Sequence, residues 1–163
     1  MEDPRIRQLA QYIVSTAVSL QPGDNILIEQ HGGQDRTLAK ALVEETYAAG
    51  GRPFVHIFDY ELEGAVIAGS SEQLMCDIAD YEIARMKNMQ CYVDIRVQDN
   101  MFAWNDIPTD RITNYRRGYW GRLHLGLRTK ATRWSVLHYP TDGVAQAAGM
   151  STAAFEDYFF RTC

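Results

Sequence analysis

The sequence predicts an α/β fold with a mostly parallel sheet of about four to five strands and helices on both faces. Short apolar segments alternate with longer segments that have helical periodicity. Gly and Pro signals separate the two kinds of segment. Because parallel neighbours require long crossover connections, the helical segments between the strands favour a parallel sheet. The predicted order is therefore αβαβαβαβα.

The predicted elements follow one another without a linker or an internal repeat. They are a helix over 4–20, a strand over 25–29, a helix over 35–47, a strand over 54–58, a helix over 71–86, a strand over 90–97, a helix over 108–130 that breaks, a strand over 133–139, a helical turn to Ala148 and a helix from Ser151.

In the first half of the chain, turn and cap residues set the bounds. Pro4 suits the first turn of an amphipathic helix. The turn Gln21-Pro22-Gly23-Asp24 leads into the apolar first strand. Asp35 is a candidate cap for the second helix, and Gly50-Gly51 ends that helix by supplying a positive φ.

In the second half, strands are predicted by alternation and by β-branched and aromatic residues. Ser71 and Ser151 are candidate caps of helices with one apolar face. Three glycines, Gly118, Gly121 and Gly126, predict that the helix between the third and fourth strands breaks.

Length and composition predict a single α/β domain over 1–163 with a packed core, since 46% of the residues are apolar and 23% are charged. The three cysteines form no CxxC pair, which favours a reducing cytoplasm over a disulfide framework or a zinc knuckle. No apolar run reaches the ~18 residues of a membrane span. The sequence therefore predicts a cytoplasmic protein without membrane contact.

Charge is unevenly distributed, because segment 111–133 holds seven of the sixteen basic residues and no acid, in a chain of net charge −5. Tyr115, Tyr119, Trp120 and Trp134 lie among these bases. Such interleaving can bind single-stranded nucleic acid, but the acidic remainder would repel a phosphate backbone. We therefore expect no nucleic-acid partner and interpret the segment as a subunit or domain contact surface.

The loop His31-Gly32-Gly33-Gln34-Asp35 lies between a strand and a helix, where free amides can hold a phosphate. Because neither GxGxxG nor GxxxxGK is present, a plain connecting loop is favoured. The carboxylates Asp59, Glu61 and Glu63 follow the second strand at the ligand-binding edge of such sheets, but a solvated loop is again the favoured interpretation.

The four histidines are scattered, and no HExxH or HxH pair places two imidazoles together. His56 and His138 lie in strands that we expect to be buried, which leaves His31 and His124 as available imidazoles. His31 is the strongest functional candidate of the four. The sequence thus identifies no catalytic, cofactor-binding or metal-binding residue in this chain.

The segment Tyr139 to Tyr158, with Tyr-Pro-Thr, then Ala-Gly-Met-Ser and an acidic aromatic helix, resembles the thermophilic-type metallo-aminopeptidases of the aminopeptidase T, aminopeptidase S and PepS group. The order of elements from Gln21 to Gly51 agrees with it. The resemblance implies release of amino-terminal residues from peptides by two divalent ions, zinc or cobalt, which activate a water and polarise the scissile carbonyl. It also implies a homodimer.

In that family the metal ligands lie in a carboxyl-terminal catalytic domain, so the resemblance implies that this chain is the amino-terminal domain of a longer protein. The final helix has no exit signal after it, which favours the same interpretation. Arg116, Arg117 and Trp120 are candidates for assembly contacts. The alternative is an independent α/β module that binds a nucleotide or another small molecule at the His31 to Asp35 loop.

Overall fold

A computed structural model describes residues 3–163. It has four strands, β1 (Asn25–His31), β2 (Arg52–Phe58), β3 (Cys91–Arg96) and β4 (Arg133–His138). The helices are α1 (Pro4–Tyr12), α2 (Thr37–Ala48), α3 (Tyr60–Gly69), α4 (Glu72–Met86), α5 (Thr109–Asn114), α6 (Thr129–Ala131), α7 (Asp142–Ala147) and α8 (Thr152–Thr162). Two π-helices, Ile13–Ala17 and Tyr115–Arg128, extend α1 and α5.

The sheet is parallel throughout, with the strand order β2-β1-β3-β4. Side chains alternate between its faces, so Ile26 and Ile28 pack with α1 and α2 while Leu27 packs with α4 and the second π-helix. Helices therefore cover both faces. The predicted fold class is confirmed, with four strands.

Most caps fall where the sequence places them. The hydroxyls of Ser71 and Ser151 accept hydrogen bonds from the amides of Leu74 and Ala154, at 3.1 and 3.3 Å. Gly50 has a φ of +78°. These local signals succeed because each one satisfies a helix end without help from distant residues.

Helix α3 was not predicted, because its apolar residues are not gathered on one face. The Asp59 carboxylate caps it by accepting from the amides of Glu61 and Leu62, at 2.9 and 3.0 Å. The interpretation of this stretch as a solvated loop is wrong. The sequence pattern alone does not distinguish a carboxylate that caps a helix from one in a solvated loop.

The predicted break between β3 and β4 is also wrong, since the backbone stays helical from Thr109 to Ala131. It widens to a π-helix instead. A Cβ on Gly121 would lie 2.9 Å from the carbonyl oxygen of Arg116, and one on Gly126 would lie 3.3 Å from that of Gly121. Each glycine thus stands five residues after the carbonyl that it approaches, which is one π turn. The glycines permit a wide helix where a break was expected.

The Tyr139 to Tyr158 segment packs on the loop after β3. The Thr141 hydroxyl donates to the Gln98 carbonyl at 2.9 Å and accepts from the Val144 amide at 3.3 Å. Gly143 lies so close to Asp99 that a Cβ would be 1.7 Å from its carbonyl oxygen. The Thr-Asp-Gly sequence is therefore explained by packing.

Gly143→Ala should lower the free energy of unfolding by about 1–3 kcal/mol, because the added methyl group overlaps backbone that cannot rotate away. Gly69→Ala is the matched control: it lies at the end of α3 with no atom within 4 Å of the added carbon, and should be neutral or slightly stabilising. Urea denaturation followed by circular dichroism measures both. Equal midpoints for the two variants would contradict the packing explanation.

Candidate functional site

The candidate site lies at the carboxyl ends of β1 and β3. The chain passes from β1 to β2 on one side and later places β3 on the other side, so the strand order reverses between β1 and β3. Open α/β sheets bind ligands at this switch point. Glu29 is paired with Asp94 in the sheet, and His31 with Arg96. All four side chains point to the same face of the sheet.

Glu29 is the centre of the buried part of the site and has no solvent exposure. Its Oε1 accepts from Arg128 Nη2 at 2.6 Å, and its Oε2 accepts from the Tyr92 hydroxyl at 2.8 Å. The Arg128 guanidinium also lies 4.2 Å from the centre of the Tyr92 ring. Burial opposes ionisation, but the His31 imidazole and the Arg128 guanidinium lower the pKa of Glu29 to about 2.

His31 lies among three carboxylates. Its Nδ1 is 3.4 Å from Glu63 Oε2, and its Nε2 is 3.6 Å from Asp94 Oδ1 and 3.8 Å from Glu29 Oε2. Its ring stacks on Phe58 with centroids 4.4 Å apart. Burial would lower the pKa of His31, but Glu29, Glu63 and Asp94 together raise it to about 10. His31 is therefore an imidazolium at neutral pH.

Asp94 is also buried, with 3% of its surface exposed. Its Oδ2 accepts from Arg96 Nε at 3.0 Å. Its Oδ1 accepts no hydrogen bond from any residue within 3–163. A buried carboxylate oxygen without a donor is uncommon in folded proteins and requires an explanation.

Above these groups lies a cleft of about 770 Å³. Its walls are largely aromatic, with Tyr60, Trp104, Tyr115 and Trp120 among them. Trp104 is fixed by its Nε1, which donates to the Tyr60 carbonyl at 3.0 Å. Clefts of this size, with apolar walls and a few convergent polar groups, hold small molecules.

The four histidines lie in different environments. His31 and His124 line the cleft, and the His124 ring stacks on Trp120 with centroids 5.3 Å apart. His56 is only partly buried and contacts Arg85. His138 is exposed, because β4 is an edge strand. The expectation that His56 and His138 are buried is thus wrong.

The His31 to Asp35 loop does not present a phosphate cradle. The Asp35 carboxylate accepts from the Thr37 amide at 2.8 Å, so the start of α2 already holds an anion. Arg36 Nη1 donates to the carbonyls of Gly32 and Gly33, at 3.1 and 2.6 Å. The Gly32 amide is bonded to the Phe58 carbonyl. These contacts favour a connecting loop.

Residues 3–163 offer one group of three candidate metal ligands, Glu29, His56 and Glu82, with ligand atoms within 4.8 Å of one another. Arg85 already lies among them. Its Nη2 is 2.5 Å from His56 Nδ1 and 3.6 Å from Glu29 Oε1, and it donates to Glu82. A two-metal site needs several ligands around ions ~3.5–4 Å apart. These residues do not fit one.

Four of the arginines in the basic segment 111–133 make contacts within the chain. Arg111 donates to the Ser70 carbonyl at 2.5 Å, and Arg122 pairs with Asp80 at 2.5 Å. Arg133 pairs with Asp24, and Arg128 with Glu29. Arg128 is buried and cannot belong to a contact surface, whereas Arg111, Arg122 and Arg133 keep part of their side chains exposed. Arg116 and Arg117 are exposed.

The sequence interpretation missed Glu29, Asp94, Tyr92 and Arg128. A signal was available for the two acids: each is a carboxylate in a predicted strand of a sheet that was expected to have helices on both faces. Carboxylates are almost never fully buried unless they are paired. Nothing in the sequence identifies Arg128 as the partner of Glu29, because 99 positions separate them.

Fold and site together define a doubly wound α/β domain with a charged, aromatic-walled cleft at its switch point. The chain belongs to the thermophilic metalloprotease (M29) family, whose profile matches residues 2–163. The resemblance to the thermophilic-type metallo-aminopeptidases is thereby confirmed. The family's description identifies its members as metalloproteases. No curated protein matches the chain significantly.

A solved structure shares this fold. Wild-type AmpT from Thermus thermophilus superposes with a TM-score of 0.70 at 15% identity, over 97% of this chain and 42% of AmpT. An alcohol dehydrogenase superfamily protein from Novosphingobium aromaticivorans gives a TM-score of 0.39 at 19% identity, over 93% of this chain and 46% of that one. The second similarity is too low to carry an argument. The chain thus spans less than half the length of AmpT.

No helix within residues 3–163 is long and apolar enough to cross a membrane.

Proposed function

We propose that this chain is the amino-terminal, non-catalytic α/β domain of a two-metal aminopeptidase that releases amino-terminal residues from peptides. The zinc or cobalt ions and all their ligands would belong to a catalytic domain outside residues 1–163. One observation carries the proposal: in a member of a metallopeptidase family, the only group of three candidate ligands within 3–163 is occupied by Arg85. No catalytic step is assigned to this chain.

The coverage of AmpT supports the same proposal, since this chain matches a part of AmpT that is shorter than half of it. A cytoplasmic homodimer belongs to the proposal as well. Its support is an exposed apolar strip on the edge strand β2, where Phe54, Val55 and Ile57 are each more than 40% exposed. Contiguous apolar surface of this kind marks contact sites.

The purified 163-residue chain, supplied with zinc or cobalt, should release no chromophore from leucine p-nitroanilide above background. The physical reason is that a guanidinium, which cannot lose its proton, stands where the ligand atoms converge. The rate of p-nitroaniline release measures this. The same chain extended through the downstream coding sequence is the matched positive control, and it should be active with either metal.

Release by the 163-residue chain that a chelator abolishes and added metal restores would show that the ligands are present here. In that case the assignment of catalysis to another domain would be wrong.

The alternative function, an independent small-molecule-binding module, is supported by the cleft and not by the His31 to Asp35 loop. The Gly32 amide and the α2 terminus are already bonded. The cleft has room for a ligand and an unsatisfied buried acceptor. Thermal denaturation with a panel of nucleotides tests the nucleotide form of this alternative, because a ligand at 100 times its dissociation constant adds about 2.7 kcal/mol of stability.

A further inference from the structure

The cleft contains a pair of complementary groups at the end of β3. Asp94 and Arg96 are two residues apart on one strand, so their side chains share a face. The Nε of Arg96 donates to Asp94 Oδ2 at 3.0 Å, which fixes both side chains. Among residues 3–163, the Asp94 Oδ1 accepts no hydrogen bond, since His31 Nε2 stays 3.6 Å away, and the two Nη atoms of the half-buried Arg96 donate to no acceptor. An acceptor and a forked donor thus stand side by side, and neither is hydrogen-bonded to another residue.

The formal charges of the buried and half-buried groups around this pair balance. Glu29, Glu63 and Asp94 carry three negative charges, and His31, Arg96 and Arg128 carry three positive charges. Arg116 also lines the cleft, but it is exposed and its charge is solvated. A ligand with net charge would leave one charge uncompensated in a largely buried site, which is costly. A neutral ligand that carries both signs adds none. The balance therefore favours a zwitterion over a phosphate or a simple amine.

The rest of the cleft suits an apolar side chain. Trp104, Tyr115 and Tyr119 form a row of rings with centroids 5.8 and 5.5 Å apart. The volume of about 770 Å³ exceeds the need of one amino acid and lies within the usual range for small ligands. A flat or branched apolar group packed on these rings would exclude water from the charged end.

We propose that the cleft binds a free α-amino acid with an aromatic or branched apolar side chain, whose ammonium donates to Asp94 Oδ1 and whose carboxylate accepts from the Nη atoms of Arg96. An α-amino acid carries these two groups on one carbon, which matches the adjacent acceptor and fork. Its biological meaning rests on the proposed function: such amino acids are the products of an aminopeptidase, so the cleft would be a product-binding site.

The test is the melting temperature of the 163-residue chain with L-phenylalanine and with two probes that each lack one charged group. 2-Phenylethylamine has no carboxylate, and 3-phenylpropanoate has no ammonium. L-Phenylalanine should raise the melting temperature in a concentration-dependent way. Each probe should bind at least about tenfold more weakly, because it cannot form the hydrogen bonds of its missing group with Asp94 or with Arg96.

Substitutions of the two proposed contact residues test whether the ligand binds between them. Asp94→Asn and Arg96→Gln should each weaken L-phenylalanine binding at least about tenfold, measured by calorimetry, since each removes one charge-assisted hydrogen bond. Arg117→Gln is the matched control, because Arg117 is an exposed arginine that does not line the cleft. The affinity of this control variant for L-phenylalanine should be unchanged. If Asp94→Asn does not fold, Arg96→Gln and the two probes still decide.

No shift with L-phenylalanine or L-leucine up to about 10 mM, a concentration that would reveal even millimolar affinity, overturns the proposal. Equal binding of either single-charge probe overturns it, and so does a shift with nucleotides alone. These measurements involve no catalysis. An active 163-residue chain would refute the proposed function and leave the binding result standing, and absent binding would leave the proposed function standing.

Discussion

Replacing Glu29 by alanine should lower the free energy of unfolding by about 3–5 kcal/mol, because it leaves Arg128 charged and buried without its partner. Arg128 has 4% of its surface exposed, so water cannot take the place of the carboxylate. The Tyr92 hydroxyl loses its acceptor at the same time. Urea denaturation at neutral pH measures the loss as a lower midpoint with an unchanged slope.

Glu44→Ala is the matched control, since Glu44 is an exposed acid that pairs with Lys40 on the same helix face. That change should cost less than about 0.5 kcal/mol. A loss for Glu29→Ala as small as that of the control would show that Glu29 and Arg128 are not a buried pair.

The double variant Glu29→Leu, Arg128→Met measures the coupling between the two residues, because it removes both charges together. The native pair is imperfectly satisfied, because the Nε of Arg128 has no acceptor among residues 3–163. Replacing both charges should therefore recover much of the loss that either single change causes. Additive losses in the double variant would contradict this coupling.

Stability should fall by about 2–3 kcal/mol between pH 6.5 and pH 8.5, because of His31. The pKa of His31 is raised from 6.5 to about 10, so the folded state holds a proton that the unfolded state releases. The contribution is complete below pH 6.5 and is lost as the pH rises toward 10. The midpoint of urea denaturation, measured at intervals across this range, gives the slope.

Between pH 6.5 and pH 8.5, the other titratable groups contribute little to the change in stability. Burial lowers the pKa of His56 and His124, and these residues affect stability below pH 6.5. Burial raises the pKa of the Cys91 thiol and of Tyr60, which act above pH 8.5. His31→Gln should remove the slope, and His138→Gln, a change at an exposed histidine, should keep it. A wild-type slope in the His31→Gln variant would refute the assignment.

At low pH, stability should fall as the pH decreases, and the group responsible is Glu29. The pKa of Glu29 is lowered from 4.5 to about 2, so its contribution is complete above pH 4.5 and is lost as the pH falls toward 2. The two partners thus define the acidic and basic limits of the same ionic network.

Much of the fold could be predicted because its signals are local. Ser71, Ser151 and Gly50 act within a few residues of their own position, and the structure places them as caps and a turn. Helix α3 and the π-helix could not be predicted. The first lacks a one-sided apolar pattern, and the second depends on wide turns that glycines allow without requiring them.

Less of the site could be predicted. His31 was identified as the strongest functional candidate, and it lies at the cleft. Glu63 was named as a carboxylate at the ligand-binding edge, and it contacts His31. Asp94 and Arg96 lie in a segment whose alternation predicts a strand but says nothing about what faces them. The residues that surround Asp94 and Arg96 lie on other elements, which come together only through the crossover connections of the sheet.

By itself, the sequence determined the α/β class, the parallel sheet and the family, because periodicity, turn residues and the Tyr139 to Tyr158 motif are properties of neighbouring positions. Only the tertiary structure decided that Glu29 meets Arg128 and that one oxygen of Asp94, beside Arg96, accepts no hydrogen bond within residues 3–163. The reason is that the ionisation and pairing of a buried charge depend on which side chains surround it in space.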